Sequence, residues 1–232
     1  MLKLRNRLAP PAARFAIGLV ALLLVAAPNT SQDALAAPQV VSIAEARTRP
    51  PGTLVTVDGF VTVPSGAFKS SASDQGFAIQ DRSGGIYIST AANLGLGLRR
   101  QVRVTGQLVD RFGLLVIMPT GGASGVKAHR PHGRKIAAPL ISTGQISEAT
   151  EGRLVQITGT IKRPIGNDLP YGYRLFINDG SGEIQAFVYA STGINLSGLE
   201  PGQRVAVTGF SGQYNDHYEI APRFPSDIRR LP

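Results

Sequence analysis

Three combinations of residue types in this chain have the makings of a reactive site, and each fails on spacing or company. Asp216-His217 pairs a carboxylate with an imidazole, as a general acid/base couple would. Adjacent residues of a strand face opposite ways, however, and no nucleophile stands in a recognisable relation to the pair. His129-x-x-His132 has a ligand-like interval but lacks carboxylate or thiolate companions. Asp81 and Asp179 each sit ahead of a Ser-Gly turn, where aspartate ordinarily caps backbone N–H groups. With no Cys and three His in the chain, thiolate nucleophiles, disulfides, Cys-ligated zinc and iron–sulfur clusters are excluded. The expectation is a protein that is not an enzyme and carries no cofactor or metal.

A different chemistry emerges from alternation. Placing Leu175, Ile177, Ile184, Ala186 and Val188 inward puts Arg174, Phe176, Asn178, Gln185, Phe187 and Tyr189 on one outer face, because strand side chains alternate with period two. Thr160 and Lys162 from a preceding strand join them. Rings interleaved with cations suit single-stranded nucleic acid, whose bases stack on aromatic faces while Lys and Arg meet phosphates. An earlier stretch offers less: Phe60 and Tyr87 outward, Ala78 at the place of Phe176, and Lys69, Arg82 and Arg111 in loops. The competing expectation is that these aromatics pack against another domain or against the C-terminal residues 222–232.

The elements that must hold these residues occur twice. Ser42, Gly52, Gly59, Asp81, Gly84 and Gly106 recur as Ser142, Gly152, Gly159, Asp179, Gly182 and Gly209, an offset of about one hundred residues that marks two copies of one domain. Each copy opens on a capping-box-like start, Ser42-Ile-Ala-Glu45 or Ser142-Thr-Gly-Gln145. A β-branched strand through Gly59 or Gly159 follows, then two apolar strands around the Asp-x-Ser-Gly turn. A strand ending at Gly106 or Gly209 comes next, and a fifth near 114–117 or 218–221. Glycine inside a strand marks a bulge or a sharp bend, as a small closed barrel needs.

This succession resembles the OB-fold nucleic-acid-binding domain, and in particular the OB-type modules of exported bacterial nucleases and nucleic-acid-binding proteins. The motif is carried by residues 42–118 and 142–228. The resemblance implies an all-β protein of two tandem five-stranded Greek-key barrels, at 37–118 and 142–232, the second with a C-terminal extension. It implies nucleic acid as ligand less specifically, since such barrels also bind sugars, peptides and proteins. Copy one departs at Arg99-Arg100, where copy two has Pro201-Gly202, and no nuclease catalytic segment occurs in the chain.

The N-terminal residues read as an export signal. Lys3, Arg5, Arg7 and Arg14 precede the uncharged run 15–27, and Ala34-Leu35-Ala36 forms a small-residue cleavage site. The apolar run spans only about 20 Å as a helix, short of the roughly 30 Å hydrocarbon core, so cleavage is favoured over retention as an anchor. Removal of 1–36 lowers the net charge from +9 to +6, leaving 20 Lys+Arg against 14 Asp+Glu. Between the copies, 119–141 reads as a Gly-rich and basic linker containing Lys127, Arg130, Arg134 and Lys135. The sequence therefore predicts a secreted or periplasmic protein without a stable membrane span, binding single-stranded DNA or RNA with little sequence preference. Its alternatives are an envelope module that docks on a protein or glycan, and an accessory subunit of a secreted nuclease.

Overall fold

The strand pattern is realised fourteen times in the computed structural model, which describes residues 39–69, 74–129, 133 and 135–232. The export segment 1–36 lies outside the described residues, as do Arg130, His132 and Arg134 of the basic run. The first copy comprises β1 (Val40–Val41), α1 (Ile43–Arg47), β2 (Leu54–Val63), β3 (Phe77–Gln80), β4 (Gly85–Ile88), β5 (Gln101–Arg111), β6 (Leu114–Pro119) and β7 (Val126–Ala128). The second comprises β8 (Leu154–Ile161), β9 (Gly166–Asp168), β10 (Gly172–Asn178), β11 (Glu183–Tyr189), β12 (Arg204–Tyr214), β13 (His217–Ala221) and β14 (Ile228–Arg230).

Both sheets close on themselves. In the first barrel β2 pairs with β3 and β5, β3 with β4, and β5 with β6, while β4 runs parallel to β6 and shuts the cylinder. In the second, β8, β10, β11, β13 and β12 repeat that circuit, with β11 parallel to β13. Five strands in this Greek-key order form the OB-type barrel. The fold class is thus as the sequence implies: all-β, in two tandem barrels.

Period-two alternation fills the interiors. Val55, Val57, Ile79, Ile86, Val102, Val104 and Ile117 make one core, and Val155, Ile157, Leu175, Ile177, Ala186, Val205 and Ile220 the other. The fourth strands run on past Gly106 and Gly209, to Arg111 and Tyr214, and these mid-strand glycines serve close approach rather than a bulge. A Cβ on Gly106 would stand 2.3 Å from the Met118 carbonyl oxygen, and one on Gly209 2.6 Å from that of Ala221. Side chains there would prise the fourth strand from the fifth.

The stretch expected as a free linker begins with structure. Val104 and Val102 of β5 pair with Val126 and Ala128 of β7, just as Val207 and Val205 of β12 pair with Ile228 and Arg230 of β14. Residues 126–128 of this stretch therefore belong to the first sheet as an edge strand, because the repeat extends one strand beyond the fifth.

The two Asp-x-Ser-Gly turns share a second task. Asp81 accepts from the Ser83 and Gly84 amides at 2.7 and 2.8 Å, and its other oxygen accepts from Ile43 N at 2.9 Å. Asp179 likewise accepts from Ser181 N at 2.9 Å and Thr143 N at 3.0 Å. Each aspartate thus pins its barrel's N-terminal turn to the hairpin between the second and third strands. Partial burial alone would raise the Asp81 pKa, but the hydrogen bonds from Ile43, Ser83 and Gly84 outweigh it and hold the carboxyl below its ordinary range. The Ser181 and Thr143 hydroxyls, with backbone amides, hold Asp179 well below that range.

A depressed folded-state pKa gives stability that is present above the unfolded value and disappears as pH falls through the folded one. Asp81→Ala should cost about 2 kcal/mol at neutral pH, the scale of charge-assisted hydrogen bonds. The deficit should shrink as pH drops below about 4, measured by urea denaturation of both proteins across that range. A deficit independent of pH would show that the carboxylate charge is not the clamp.

Candidate functional site

In each barrel the outer face of the second and third strands, framed by the loops between strands one and two and strands four and five, is the surface on which OB-type barrels hold linear ligands. The two copies treat this face differently. In the first it is covered by the second barrel. Val63, Phe68, Ala78, Tyr87 and Val116 pack with Phe210 and Ala221 in one buried cluster, flanked by Leu114 and Tyr189. Phe68 stacks on Tyr189 at 4.9 Å between centroids, and Tyr87 meets Phe210 at 5.8 Å.

Polar contacts fix this junction. Leu154 N donates to Gln80 Oε1 at 3.0 Å, and Arg223 donates to the Thr62 carbonyl at 2.6 Å. Arg47 reaches Glu148 at 2.7 Å and Glu151 at 2.8 Å. The Glu151 side chain is fully buried; burial raises its pKa, and Arg47 opposes that shift. Gly85 and Gly152 approach so closely that a Cβ on Gly85 would lie 2.0 Å from the Gly152 carbonyl oxygen.

The corresponding face of the second barrel is open. It presents a cleft of about 360 Å³ with Phe187 and Tyr189 in its floor, their rings edge to face at 4.8 Å. Tyr171, from the loop before β10, and Tyr214, from the end of β12, stand at its mouth, 45% and 50% exposed. Gln185 and Glu219 lie opposite each other across the parallel β11–β13 pair, joined by a 2.9 Å hydrogen bond from Gln185 Nε2 to Glu219 Oε2. Burial raises the Glu219 pKa, with opposition from the Gln185 hydrogen bond and from His217. Arg174 at the rim pairs with Asp168 at 2.8 Å.

The surface continues past the cleft. Phe176 lies beside it with the Arg163 guanidinium 4.1 Å above its ring, in a shallow groove shared with Gln185 and His217. A third depression carries Thr160, Lys162, Asn178 and Arg204. Cross-strand register joins the three, since Thr160 faces both Asn178 and Arg204, Phe176 faces Gln185, and Arg174 faces Phe187.

The residues singled out in the sequence are therefore divided. Thr160, Lys162, Arg174, Phe176 and Phe187 lie on this continuous face. Tyr189 lies in the floor of the cleft with one side of its ring spent on Phe68, so only part of it is left to meet a ligand. Tyr87 is buried between the barrels with its hydroxyl toward Asp74 at 3.4 Å. Phe60 lies under Gly133 of the interbarrel segment, whose Cα position is too close to the ring to admit a side chain. Lys69 uses its backbone N–H on Ser191 at 3.1 Å, and Arg111 donates to Ser89 at 2.9 Å. Arg82 is exposed on the β3–β4 turn, away from the cleft.

Alternation identified what points outward in copy one; nothing in a period of two says that Phe210 covers it. Tyr171, Tyr214 and Glu219 were not anticipated. The available signal was Glu219, a lone acid on an outward strand position of a basic chain, and two tyrosines beside turns. Asp216 is also placed differently from the strand reading. It occupies the turn before β13, and its Oδ1 lies 3.4 Å from His217 Nδ1. The pair still has no nucleophile beside it in this cleft, and among the described residues no three His, Cys, Asp or Glu side chains gather as a metal site would require.

No family model matches the chain, and no curated protein matches it. Among solved structures it is similar to the OB domain of a protein from Methanosarcina mazei, at 16% identity over 41% of this chain and 86% of that one, with a TM-score of 0.35. A murine DNA binding protein bound with double-stranded DNA matches at 10% identity over 75% of this chain and 96% of the other, with a TM-score of 0.41. A chain from a Replication Protein A heterotrimer bound to single-stranded DNA matches at 17% identity over 42% and 83%, with a TM-score of 0.33.

The division between covered and open faces is measurable. Phe210→Ala should lower stability by roughly 3–5 kcal/mol, as a large-to-small core change does. Tyr171→Ala, at a half-exposed mouth, should stay within about 0.5 kcal/mol. Urea unfolding of both variants checks this, and equal effects would mean that the barrels do not depend on their junction.

Proposed function

We propose that the chain is an exported, non-enzymatic binding protein that holds single-stranded nucleic acid across the outer face of the second barrel, largely irrespective of sequence. The observation that supports this reading is the continuous row from Arg204 through Thr160, Lys162 and Phe176 to Phe187 and the Tyr171–Tyr214 mouth. Rings stack on any base, while the cations meet a phosphate backbone that runs on from base to base. Arg163, paired with Glu183, covers one face of Phe176, so this ring has its other face for a base.

A linear polymer suits the length of the row better than a compact ligand does. Net positive charge draws polyanions to the surface at long range. The barrel face itself fits such ligands, since the same surface in this architecture takes oligonucleotides and oligosaccharides. Export rests on the charged, apolar and small-residue succession of 1–36. Among the described residues no helix is long and apolar enough to cross a membrane. Mass spectrometry of the exported product should find a mature terminus at Ala37, and an intact Met1 on membrane-bound protein would overturn export as a free protein.

A second reading, an envelope module for a neutral glycan, is favoured by one feature. Asp168 neutralises Arg174 at the cleft rim, and hydrogen-bonding carboxylates beside rings also suit sugars. Salt separates the two. Oligonucleotide affinity should fall as salt rises, with a slope of about −0.7 per phosphate neutralised on a single strand. Lys162→Ala or Arg204→Ala should each flatten that slope by about 0.7 without a change in melting temperature. Phe176→Ala should weaken binding by roughly 1–3 kcal/mol. If labelled oligonucleotides fail to bind even at low salt, the nucleic-acid reading falls and the glycan module takes its place.

A further inference from the structure

Glu219 is the least explained group on this face. It is only 8% exposed, yet among the described residues no Lys or Arg pairs with it, and the imidazole of His217 lies 3.8 Å away. Gln185 Nε2 donates to its Oε2, while Oε1 receives no hydrogen bond from any described residue. Its Oε1 is not sealed from water, so it stands as an open acceptor at the cleft. The carboxylate looks into the 360 Å³ cleft between the Phe187 ring and the Tyr171–Tyr214 mouth. Burial raises its pKa, as expected for an anion whose donors are incomplete.

The cleft is thus walled by aromatic side chains and ends in a hydrogen-bond acceptor, within the size range of small-ligand pockets. Among nucleobase edges the fit is selective. An ionised carboxylate only accepts. Guanine presents two adjacent donors, N1–H and the N2 amino group, matched to the two oxygens of one carboxylate. Adenine and cytosine each set an amino donor beside a ring-nitrogen acceptor, and thymine or uracil sets one N–H between two carbonyls. Each of these points a lone pair at the Glu219 oxygens.

Resting on the nucleic-acid reading above, we infer that this cleft is a guanine-selective base pocket, in which Glu219, positioned by Gln185, accepts from the N1–H and N2 amino groups of a base inserted between the aromatic walls. The remaining row stacks and neutralises without selecting. Arg174 stays at the rim, on the side where the sugar–phosphate chain of the inserted nucleotide would lie, and Lys162 stands farther along the row. Phosphate is kept out of the cleft by the same carboxylate that admits the base.

The test uses the whole protein and thymidine oligonucleotides of equal length carrying one central dT, dA, dC, dG or deoxyinosine, followed by fluorescence anisotropy. The dG strand should bind about ten-fold tighter than the dT strand, the scale of one bidentate base contact. Deoxyinosine stacks like guanine but lacks the N2 amino group, and it should lose most of that advantage. E219Q should abolish the dG preference while leaving dT affinity unchanged or raised, since a negative charge is removed. A merely structural role for Glu219 would instead weaken all strands together.

Equal binding of all five strands, inosine equal to guanine, or a dG preference that survives E219Q would each overturn the base pocket while leaving nucleic-acid binding intact. Absence of binding by every strand would overturn both. Because the guanine–inosine comparison is made in the unaltered protein, the inference stays falsifiable even if E219Q fails to fold.

Discussion

The burial of Tyr87 and Phe68 against Phe210 decides which of the two equivalent barrel faces stays open. A duplicated barrel begins with two equivalent faces, and a rigid pair must use some of its surface to hold itself together. Here the first copy gives up the face formed by its second and third strands. Ala78, standing where the second copy has Phe176, leaves room for that contact. The Gly85–Gly152 approach then fixes the separation, since neither position can carry a side chain without moving backbone. The buried Glu151 must keep Arg47 beside it, because a buried charge that loses its partner is strongly destabilising. Apolar burial supplies the attraction, and these two devices supply its geometry.

From that junction follows an asymmetry of surface between copies of one sequence pattern. Both barrels lie in one compact unit, and the first touches a turn of the second. Phe112 and Tyr214, one from each barrel, meet at 5.8 Å between centroids. The backbone of Asn215 donates to the Phe112 carbonyl at 2.5 Å. The turn that carries Tyr214 to the mouth of the cleft is thereby braced by its neighbour. A face built on braced strands and turns loses less conformational entropy on binding than one built on free loops.

How much of this was legible depended on range. The alternation of Leu175, Ile177, Ile184 and Ala186 with Arg174, Phe176 and Gln185 could be read directly, because a strand's two faces are written in its own residues. The repeat gave the barrels, and the paired aspartates gave the turns. That Asp81 and Asp179 also hold Ile43 and Thr143 could not be read, since their partners lie far away in sequence. Tyr189 shows the limit most clearly. Its outward direction was correct, but what lies outward is Phe68, in a loop of the other copy. Tyr171 and Tyr214 escaped notice because loop positions carry no period from which to infer a direction.

Charge is divided along the face in the same physical spirit. Lys162 and Arg204 are exposed and free of any acidic partner within ion-pair distance among the described residues, so any attraction they exert on an anion passes through water and is screened by salt. Arg174 is held by Asp168, and Glu219, 8% exposed, lines the same cleft. Interactions in such a sheltered place are less screened and far more sensitive to which donor meets which acceptor. Long-range attraction and close discrimination make opposite demands on solvent exposure. A single barrel face can meet both only by separating them along its length, with exposed cations toward β8 and β12 and sheltered acceptors toward β11 and β13.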